Sequence, residues 1–167
     1  MNSDITIVIP TRDRPDWLAL CLRSTFEHQT TTVPVIVSDN SASQHSAIAA
    51  LKRKYDFTYV RQSGMISMTA HLNACFSLVS TPWMILLHDD DELCPDALVK
   101  IGAFLARAGD VGIVVGGFQY IDPHGKTRGE VIPEFGIFRG EEGLLSIGLR
   151  FHATSHGRRN AEARSPR

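Results

Sequence analysis

Residues 83–92 join a short apolar run to a run of four acids. Residues 83–87 read Trp-Met-Ile-Leu-Leu, and after His88 come Asp89, Asp90, Asp91 and Glu92. So short an apolar run is typical of a strand buried on both faces, with the acids placed where the strand leaves the sheet. Adjacent carboxylates repel one another, and a bound Mg²⁺ or Mn²⁺ would relieve that repulsion. The structural alternative is that Asp91 caps the next helix, whose dipole favours acids at its start.

Apolar periodicity in the rest of the chain predicts strands that alternate with helices four times. The predicted strands cover residues 5–9, 33–37, 57–60, 83–87 and 111–115, with 118–121 as an extension of the last; the predicted helices cover residues 14–29, 48–55, 68–79 and 95–109. Residues 122–125 read as a turn, and periodicity fades from Lys126 onward. This order predicts an α/β fold, a Rossmann-like and mostly parallel sheet with helices on both faces and strand one near its centre.

Three polar segments follow predicted strands one, two and four: residues 10–14, 38–41 and 88–91. Parallel strands point their carboxyl ends toward one edge of the sheet, and ligands bind outside that edge. A helix cap explains each segment separately, but their convergence on one edge favours a site for a metal and a ligand.

The residue types at that edge fit a nucleoside diphosphate. A cation held by carboxylates commonly keeps coordination positions for phosphate oxygens, Arg12 and Arg14 could bind phosphate, and Asp39 could accept from a base or a ribose hydroxyl. No GxGxxG follows strand one, no GxxxxGK[ST] occurs, and the first glycine is Gly64. The sequence therefore argues against a dinucleotide dehydrogenase, a P-loop enzyme and a nucleotidyltransferase with a glycine-rich first loop.

Several motifs in order carry a resemblance to the family 2 glycosyltransferases of GT-A fold. Residues 7–15, Ile-Val-Ile-Pro-Thr-Arg-Asp-Arg-Pro, resemble the opening of that family, and residues 37–41 resemble its second-strand motif. Asn73 matches a recurrent asparagine, and residues 86–98 resemble the metal motif with the helix after it. The resemblance covers residues 4–126. It departs from the family at His88, which stands where many members carry the first aspartate of the motif.

The resemblance implies roles for individual residues. Pro10, Thr11 and Arg14 would line the nucleotide pocket together with Asn40 and Asn73. Asp39 would meet the base, Asp89 would face the ribose, and Asp90 or Asp91 would hold Mn²⁺ or Mg²⁺ on the diphosphate. The donor would be a UDP-, GDP- or dTDP-linked sugar and the acceptor a glycan or lipid, as in cell wall or polysaccharide synthesis. His71 is expected on a helix surface, and Met65 and Met68 are expected to pack inside.

The expected function is metal-assisted, inverting transfer of a sugar to an acceptor hydroxyl. Inversion requires a carboxylate base, which the family supplies from a second half beyond strand five. Glu134, Glu141 and Glu142 are available acids, but nothing marks one of them as the base. The alternatives are a non-catalytic nucleotide-binding or interaction module and a receiver-type phosphotransfer domain, whose acids should instead follow strands one and three.

Composition bounds the remaining expectations. The 167 residues are 43% hydrophobic and 21% charged, with net charge −1, which gives no electrostatic case for nucleic acid as a partner.

Residues 1–150 are expected to form the donor-binding domain, without the acceptor half. Residues 151–167, with four arginines and no aliphatic side chain larger than alanine, read as a disordered or frameshifted tail. Three cysteines without a CxxC motif, no signal peptide and no membrane span predict a cytoplasmic protein, peripheral at most to the inner membrane face.

Overall fold

The computed structural model describes residues 4–107, 112–122, 125–132, 136–138 and 149–151. The strands are β1 (Ile5–Thr11), β2 (Val35–Asp39), β3 (Thr58–Arg61), β4 (Trp83–Leu86), β5 (Asp91–Leu93), β6 (Ile113–Val115), β7 (Phe118–Ile121), β8 (Thr127–Ile132), β9 (Gly136–Phe138) and β10 (Leu149–Phe151). The helices are α1 (Pro15–Phe26), α2 (Ala47–Lys54), α3 (Met68–Ser77) and α4 (Ala97–Leu105).

A four-stranded parallel sheet forms the centre of the domain, in the order β3-β2-β1-β4. Every residue of β1 is buried, as expected for a β-branched run that is covered on both faces. In the register, Thr11 lies beside Asp39 and Val8 beside Leu86. The predicted α/β fold class and the central place of strand one are confirmed.

The helices bury their apolar residues against this sheet. Leu18, Cys21 and Leu22 of α1 are fully buried, and Leu98 of α4 joins the same core. Helix α1 begins at Pro15, whose fixed φ suits a first helical turn. The apolar residues whose spacing predicted these helices are therefore the residues that pack in the core and stabilise the helices.

Two predictions about the later strands are wrong. Strands β6 and β7 do not extend the parallel sheet of the described residues: β6 pairs antiparallel with β9, and β7 with β8. The acids follow the end of β4, as predicted, but the alternative in which Asp91 caps the next helix is wrong. Asp91 instead begins β5, which pairs antiparallel with β10, and Asp96 holds the N-cap position of α4. A three-residue strand is too short to show a periodic pattern.

The predicted disordered or frameshifted tail lies outside the described residues, apart from Phe151. The candidate bases Glu134, Glu141 and Glu142 lie outside them as well. Among the residues that the structure describes, no helix is both long and apolar enough for a membrane span.

Candidate functional site

The three polar segments meet at the carboxyl edge of the parallel sheet, as predicted. The backbone N–H of Asn40 donates to the Thr11 carbonyl at 2.9 Å, which joins the ends of β2 and β1. The N–H of Leu87 donates to the Val8 carbonyl at 3.0 Å, which holds the end of β4 against β1. Strand register therefore places side chains from residues 11–14, 39–41 and 88–91 together.

A charged network joins the first and third segments. The Thr11 hydroxyl donates to Asp89 Oδ2 at 2.7 Å. The Arg14 guanidinium lies between two carboxylates, with Nη2 2.6 Å from Asp89 Oδ1 and Nη1 2.9 Å from Asp90 Oδ2. Burial raises the pKa of Asp89, while the Thr11 hydrogen bond and the Arg14 charge act in the opposite direction. One cation thus serves two carboxylates, and the segment keeps an excess of negative charge.

Asp91 has no such partner within the described part of the chain. The residue is 1% exposed, and neither of its carboxyl oxygens accepts a hydrogen bond from a described residue. Burial, followed by the charges of Asp90 and Asp89, raises its pKa to about 8. A buried, unpaired carboxyl is costly in a folded protein, and such groups concentrate at functional sites.

The backbone before α1 places Arg14 over the acids. Asp13 has a φ of 54°, in the left-handed region, and its N–H donates to Ser41 Oγ at 2.9 Å. Arg14 takes the N-cap position of α1 without a side-chain capping bond, so its guanidinium is available to the carboxylates. Strain of this kind persists where surrounding contacts hold it, here the contact with Ser41.

The far end of α1 holds the other side of the acidic segment. The Leu93 N–H donates to Ser24 Oγ at 3.0 Å. Gln29 donates to the Cys94 carbonyl at 2.9 Å and accepts from the Leu98 N–H at 3.1 Å. These bonds fix β5 and the start of α4 against the helix that also carries Arg14.

Asp39 is buried and already accepts several hydrogen bonds. Its Oδ1 accepts from the Ser41 backbone N–H at 2.8 Å and from the Ser41 hydroxyl at 2.5 Å, and its Oδ2 accepts from the Tyr59 hydroxyl at 2.7 Å. Burial and this carboxylate raise the pKa of Tyr59 well above its ordinary value. Asp39 therefore orders the end of β2, and any contact with a ligand would use its remaining lone pairs.

Asn40 holds the segment that leads into α3. Its Oδ1 accepts from the Ile66 N–H at 3.0 Å, and its Nδ2 donates to the Ile66 carbonyl at 2.9 Å. Beside it lies an open cavity of about 330 Å³ between the ends of β1 and β2, α3 and His88; its lining includes Pro10, Thr11, Arg14, Asn40, His71 and Leu72. Asn73 is exposed on α3 and is not among the lining residues.

Three smaller expectations are wrong. His71 is buried rather than on a helix surface, because it faces Ser38 of β2 at 2.9 Å. Met65 and Met68 are not packed inside: their exposed fractions are 59% and 76%. The helical period of the apolar residues could not reveal that this histidine faces the sheet, because its burial depends on the Ser38 hydroxyl of β2.

Among the residues the structure describes, no three His, Cys, Asp or Glu side chains converge as a ready-made metal cluster. The carboxylates present still fit a hard divalent cation whose coordination shell the protein fills only in part. Such cations take one or two carboxylates and complete their shell with water and substrate phosphates. The unpartnered oxygens of Asp91 and the neighbouring Asp90 carboxylate are donors of that type.

The parallel sheet and the carboxylates at its edge define an α/β domain of GT-A type. The sequence profile of glycosyl transferase family 2 matches residues 6–160. The match covers most of the chain, and the protein therefore belongs to that family. The earlier recognition of the family from its motifs is confirmed, and a receiver-type domain is set aside.

Solved structures share the fold. S. aureus TarS superposes with a TM-score of 0.60 at 16% identity, covering 76% of this chain and 23% of that one. S. aureus TarS 1-349 in complex with UDP-GlcNAc gives 0.58 at 14%, covering 76% and 37%. The mannosyltransferase PcManGT from Pyrobaculum calidifontis, in complex with GDP-Man and Mn²⁺, gives 0.52 at 14%, covering 73% and 36%. The chain thus spans between 23% and 37% of their lengths. No curated protein sequence matches the chain.

Proposed function

We propose that the protein binds a nucleoside-diphosphate sugar with a divalent cation and takes part in transferring the sugar to an acceptor hydroxyl. The observation that carries the proposal is the buried, unpartnered carboxyl of Asp91 beside Asp90, at the ligand-binding edge of a family 2 fold. Complexes of two structural neighbours with UDP-GlcNAc and with GDP-Man and Mn²⁺ support this class of ligand.

The cavity is the proposed place of the nucleotide. Pro10 and Thr11 would contact the nucleotide from the end of β1 and Asn40 from the end of β2, since these three residues line the cavity, whereas Asp39 lines a smaller pocket next to it. Asp39 would bind the base, Asp89 the ribose, and Asn73 would approach from α3. Binding sites of this kind are preformed clefts, and the two bonds from Asn40 to Ile66 would keep this cleft in shape.

Asp90 and Asp91 would hold Mn²⁺ or Mg²⁺ against the diphosphate. The bound cation would stabilise the nucleoside diphosphate as a leaving group. Arg14 pairs with Asp89 and Asp90, at 2.6 and 2.9 Å, and offsets part of their negative charge. With the donor bound, the exposed guanidinium is free to turn to a phosphate oxygen, for which its planar fork is suited. Arg14 would therefore exchange one anionic partner for another.

The proposed transfer is inverting. An acceptor hydroxyl oxygen would form a bond to the anomeric carbon as the bond from that carbon to the diphosphate oxygen breaks. The electron pair leaves with the diphosphate, and the hydroxyl proton passes to a carboxylate base. A glycan or lipid is the proposed acceptor, in cell wall or polysaccharide synthesis. The free cysteines Cys21 and Cys75 are both buried and favour a reducing compartment, so the proposed location is the cytoplasm. There the protein would be at most peripherally attached to the membrane.

A thermal-shift titration tests the donor site. UDP, GDP or dTDP is expected to raise the melting temperature only with Mn²⁺ or Mg²⁺, and Asp90→Ala to remove the increase. Asp56→Ala, an exposed acid outside the site, is the matched control and should keep the full increase. Stabilisation by nucleotide that persists in EDTA would refute the metal role, and the absence of any nucleotide effect would refute donor binding.

The second candidate function is a non-catalytic nucleotide-binding or interaction module. The cavity and the acids at the sheet edge would suffice for nucleotide binding alone, whereas transfer also requires a carboxylate base. Release of UDP or GDP from the matching sugar nucleotide, followed by chromatography with Mn²⁺ present, separates the two. Turnover abolished by Asp90→Ala supports the transferase, whereas tight binding without turnover supports the module.

A further inference from the structure

Ser41 is a buried side chain that joins the end of β2 to the turn before α1. The residue is 4% exposed and is not among the lining residues of the larger cavity. Its hydroxyl donates to Asp39 Oδ1 at 2.5 Å and accepts from the backbone N–H of Asp13 at 2.9 Å. One hydroxyl therefore links two segments of the sheet edge that are distant in the sequence.

The partners of Ser41 leave its hydroxyl a single arrangement. The Asp39 carboxylate acts as an acceptor here, since it also receives the Tyr59 hydroxyl and the Ser41 backbone N–H. A backbone N–H, such as that of Asp13, can only donate. The Ser41 hydrogen is therefore directed to Asp39, and an oxygen lone pair is left for Asp13. Asp39 anchors the hydroxyl, and the hydroxyl holds the turn.

The bond from Asp13 supports a backbone conformation that most residue types disfavour. The φ of Asp13 is 54°, in the left-handed region, where a Cβ atom crowds the following carbonyl oxygen. Arg14 comes next, and its carbonyl accepts from the Leu18 N–H at 3.1 Å, so α1 fixes the chain on the far side of the turn. Relaxation of Asp13 would therefore be taken up at Arg14 and would change the direction of its side chain.

The series of contacts ends at the acids. Arg14 Nη2 lies 2.6 Å from Asp89 Oδ1, and Nη1 lies 2.9 Å from Asp90 Oδ2. The Arg14 side chain is 43% exposed, so packing restrains it little. The direction in which the side chain leaves the backbone therefore has a large influence on where the guanidinium lies.

We propose that Ser41 is a positioning residue, whose hydroxyl holds the turn at Asp13 and thereby directs the Arg14 guanidinium to the acids. The inference rests on the proposed metal and diphosphate site and adds to it a residue outside the cavity. Without the hydroxyl, Arg14 withdraws from Asp89 and Asp90, which then keep more uncompensated negative charge. A cation alone would bind more tightly in that state, whereas a diphosphate would lose a directed partner.

Hydrogen exchange, followed by nuclear magnetic resonance on the metal-free protein, tests the positioning. Ser41→Ala removes the hydroxyl alone, because alanine keeps the backbone N–H that also donates to Asp39. The Asp13 N–H and the guanidinium hydrogens of Arg14, the latter assigned from their loss in Arg14→Gln, should exchange about fivefold faster than in the wild type, as expected for one lost hydrogen bond. Ser41→Thr keeps a hydroxyl and should exchange at nearly the wild-type rate. Ser43→Ala, at an exposed serine, is the matched control and should change neither rate.

Calorimetry with Mn²⁺ tests whether Ser41 acts through Arg14. Mn²⁺ alone should bind about two- to fivefold more tightly to Ser41→Ala than to the wild type, because the guanidinium no longer offsets the acids fully. In an Arg14→Gln background the same substitution should change the affinity by less than about 1.5-fold, since the group on which Ser41 acts is gone. UDP with Mn²⁺ should bind more weakly to Ser41→Ala than to the wild type.

The outcomes separate positioning from packing. Unchanged exchange of the Arg14 guanidinium in Ser41→Ala would overturn the proposal. Weaker binding of Mn²⁺, or an equal change with and without Arg14→Gln, would overturn it in favour of a packing role. If Ser41→Ala does not fold, Ser41→Cys takes its place, because a thiol is a weak acceptor, and unchanged exchange in that variant would count equally against the proposal. A wild-type protein that binds neither Mn²⁺ nor nucleotide would refute the proposed function, while exchange in the metal-free protein would still decide the role of Ser41.

Discussion

The carboxyl of Asp91 should make the metal-free protein less stable than an amide at the same position would. Asp91→Asn keeps the shape and the lack of partners but removes the ionisable proton. The pKa of Asp91 rises from an ordinary 3.8 to about 8 on folding. At about 1.4 kcal/mol for each factor of ten in proton affinity, keeping this group protonated at pH 7 costs up to about 4 kcal/mol. Relaxation of the site lowers that figure, so we expect Asp91→Asn to raise stability by about 1–4 kcal/mol.

The sign of the pH dependence follows from the same shift. Between about pH 4 and pH 8, folded wild-type protein holds a proton on Asp91 that the unfolded chain has released. Its stability therefore falls as pH rises through this window, whereas the Asp91→Asn protein lacks this contribution. The advantage of the variant should be small at pH 4 and greatest above pH 8.

Urea unfolding in EDTA at pH 5 and pH 8 measures this difference, and calorimetry gives a melting temperature raised by about 2–4 °C for each kcal/mol. With Mn²⁺ and UDP present, the wild-type protein should be more stable than the Asp91→Asn protein, because the variant lacks a ligand for the cation. Asp56→Asn, at an exposed acid, is the control and should shift neither measurement. An advantage that is equal at pH 5 and pH 8, or a loss of stability at both, would refute this account of Asp91.

Three further predictions follow from described contacts. Arg14→Gln removes the positive charge between Asp89 and Asp90, so calorimetry should show Mn²⁺ alone binding about three- to tenfold more tightly. UDP with Mn²⁺ should bind more weakly to this variant. Weaker binding of Mn²⁺ alone would contradict the prediction. Asn40→Ala loses two hydrogen bonds to Ile66, so limited proteolysis should cleave residues 62–67 faster, at a cost of about 1–3 kcal/mol, and unchanged cleavage would count against the anchoring role. Leu22→Ala, in the fully buried core, should cost about 2–5 kcal/mol in urea unfolding, clearly more than Leu20→Ala at a half-buried position.

The central sheet and its helices could be predicted because the sequence patterns that mark each element lie within that element. The β-branched residues of β1, the proline at the start of α1 and the spacing of α4 each report burial against one neighbour. The convergence of Thr11 with Asp89 could also be predicted, since parallel topology alone brings the ends of β1 and β4 together. These features need no knowledge of side-chain orientation.

The remaining features depend on long-range contacts that no local pattern encodes. Strand β5 exists because β10, more than fifty residues later, pairs with it. His71 is buried because a hydroxyl on β2 lies opposite its turn of α3. Arg14 can bridge two aspartates because Asp13 has a left-handed φ, a conformation that aspartate only weakly favours. Tertiary context decided each of these.

Helix α1 carries contacts for the acidic segment at both of its ends, which restricts how its length can change. Arg14 precedes its first turn, and Ser24 and Gln29 secure β5 and α4 beyond its last. One inserted or deleted residue within α1 would turn everything after it by about 100° and shift it by about 1.5 Å along the axis. Such a change would separate the guanidinium from the aspartates even if the sheet stayed intact. Natural or designed variants should therefore tolerate substitutions on the outer face of α1 far better than any alteration in its residue count.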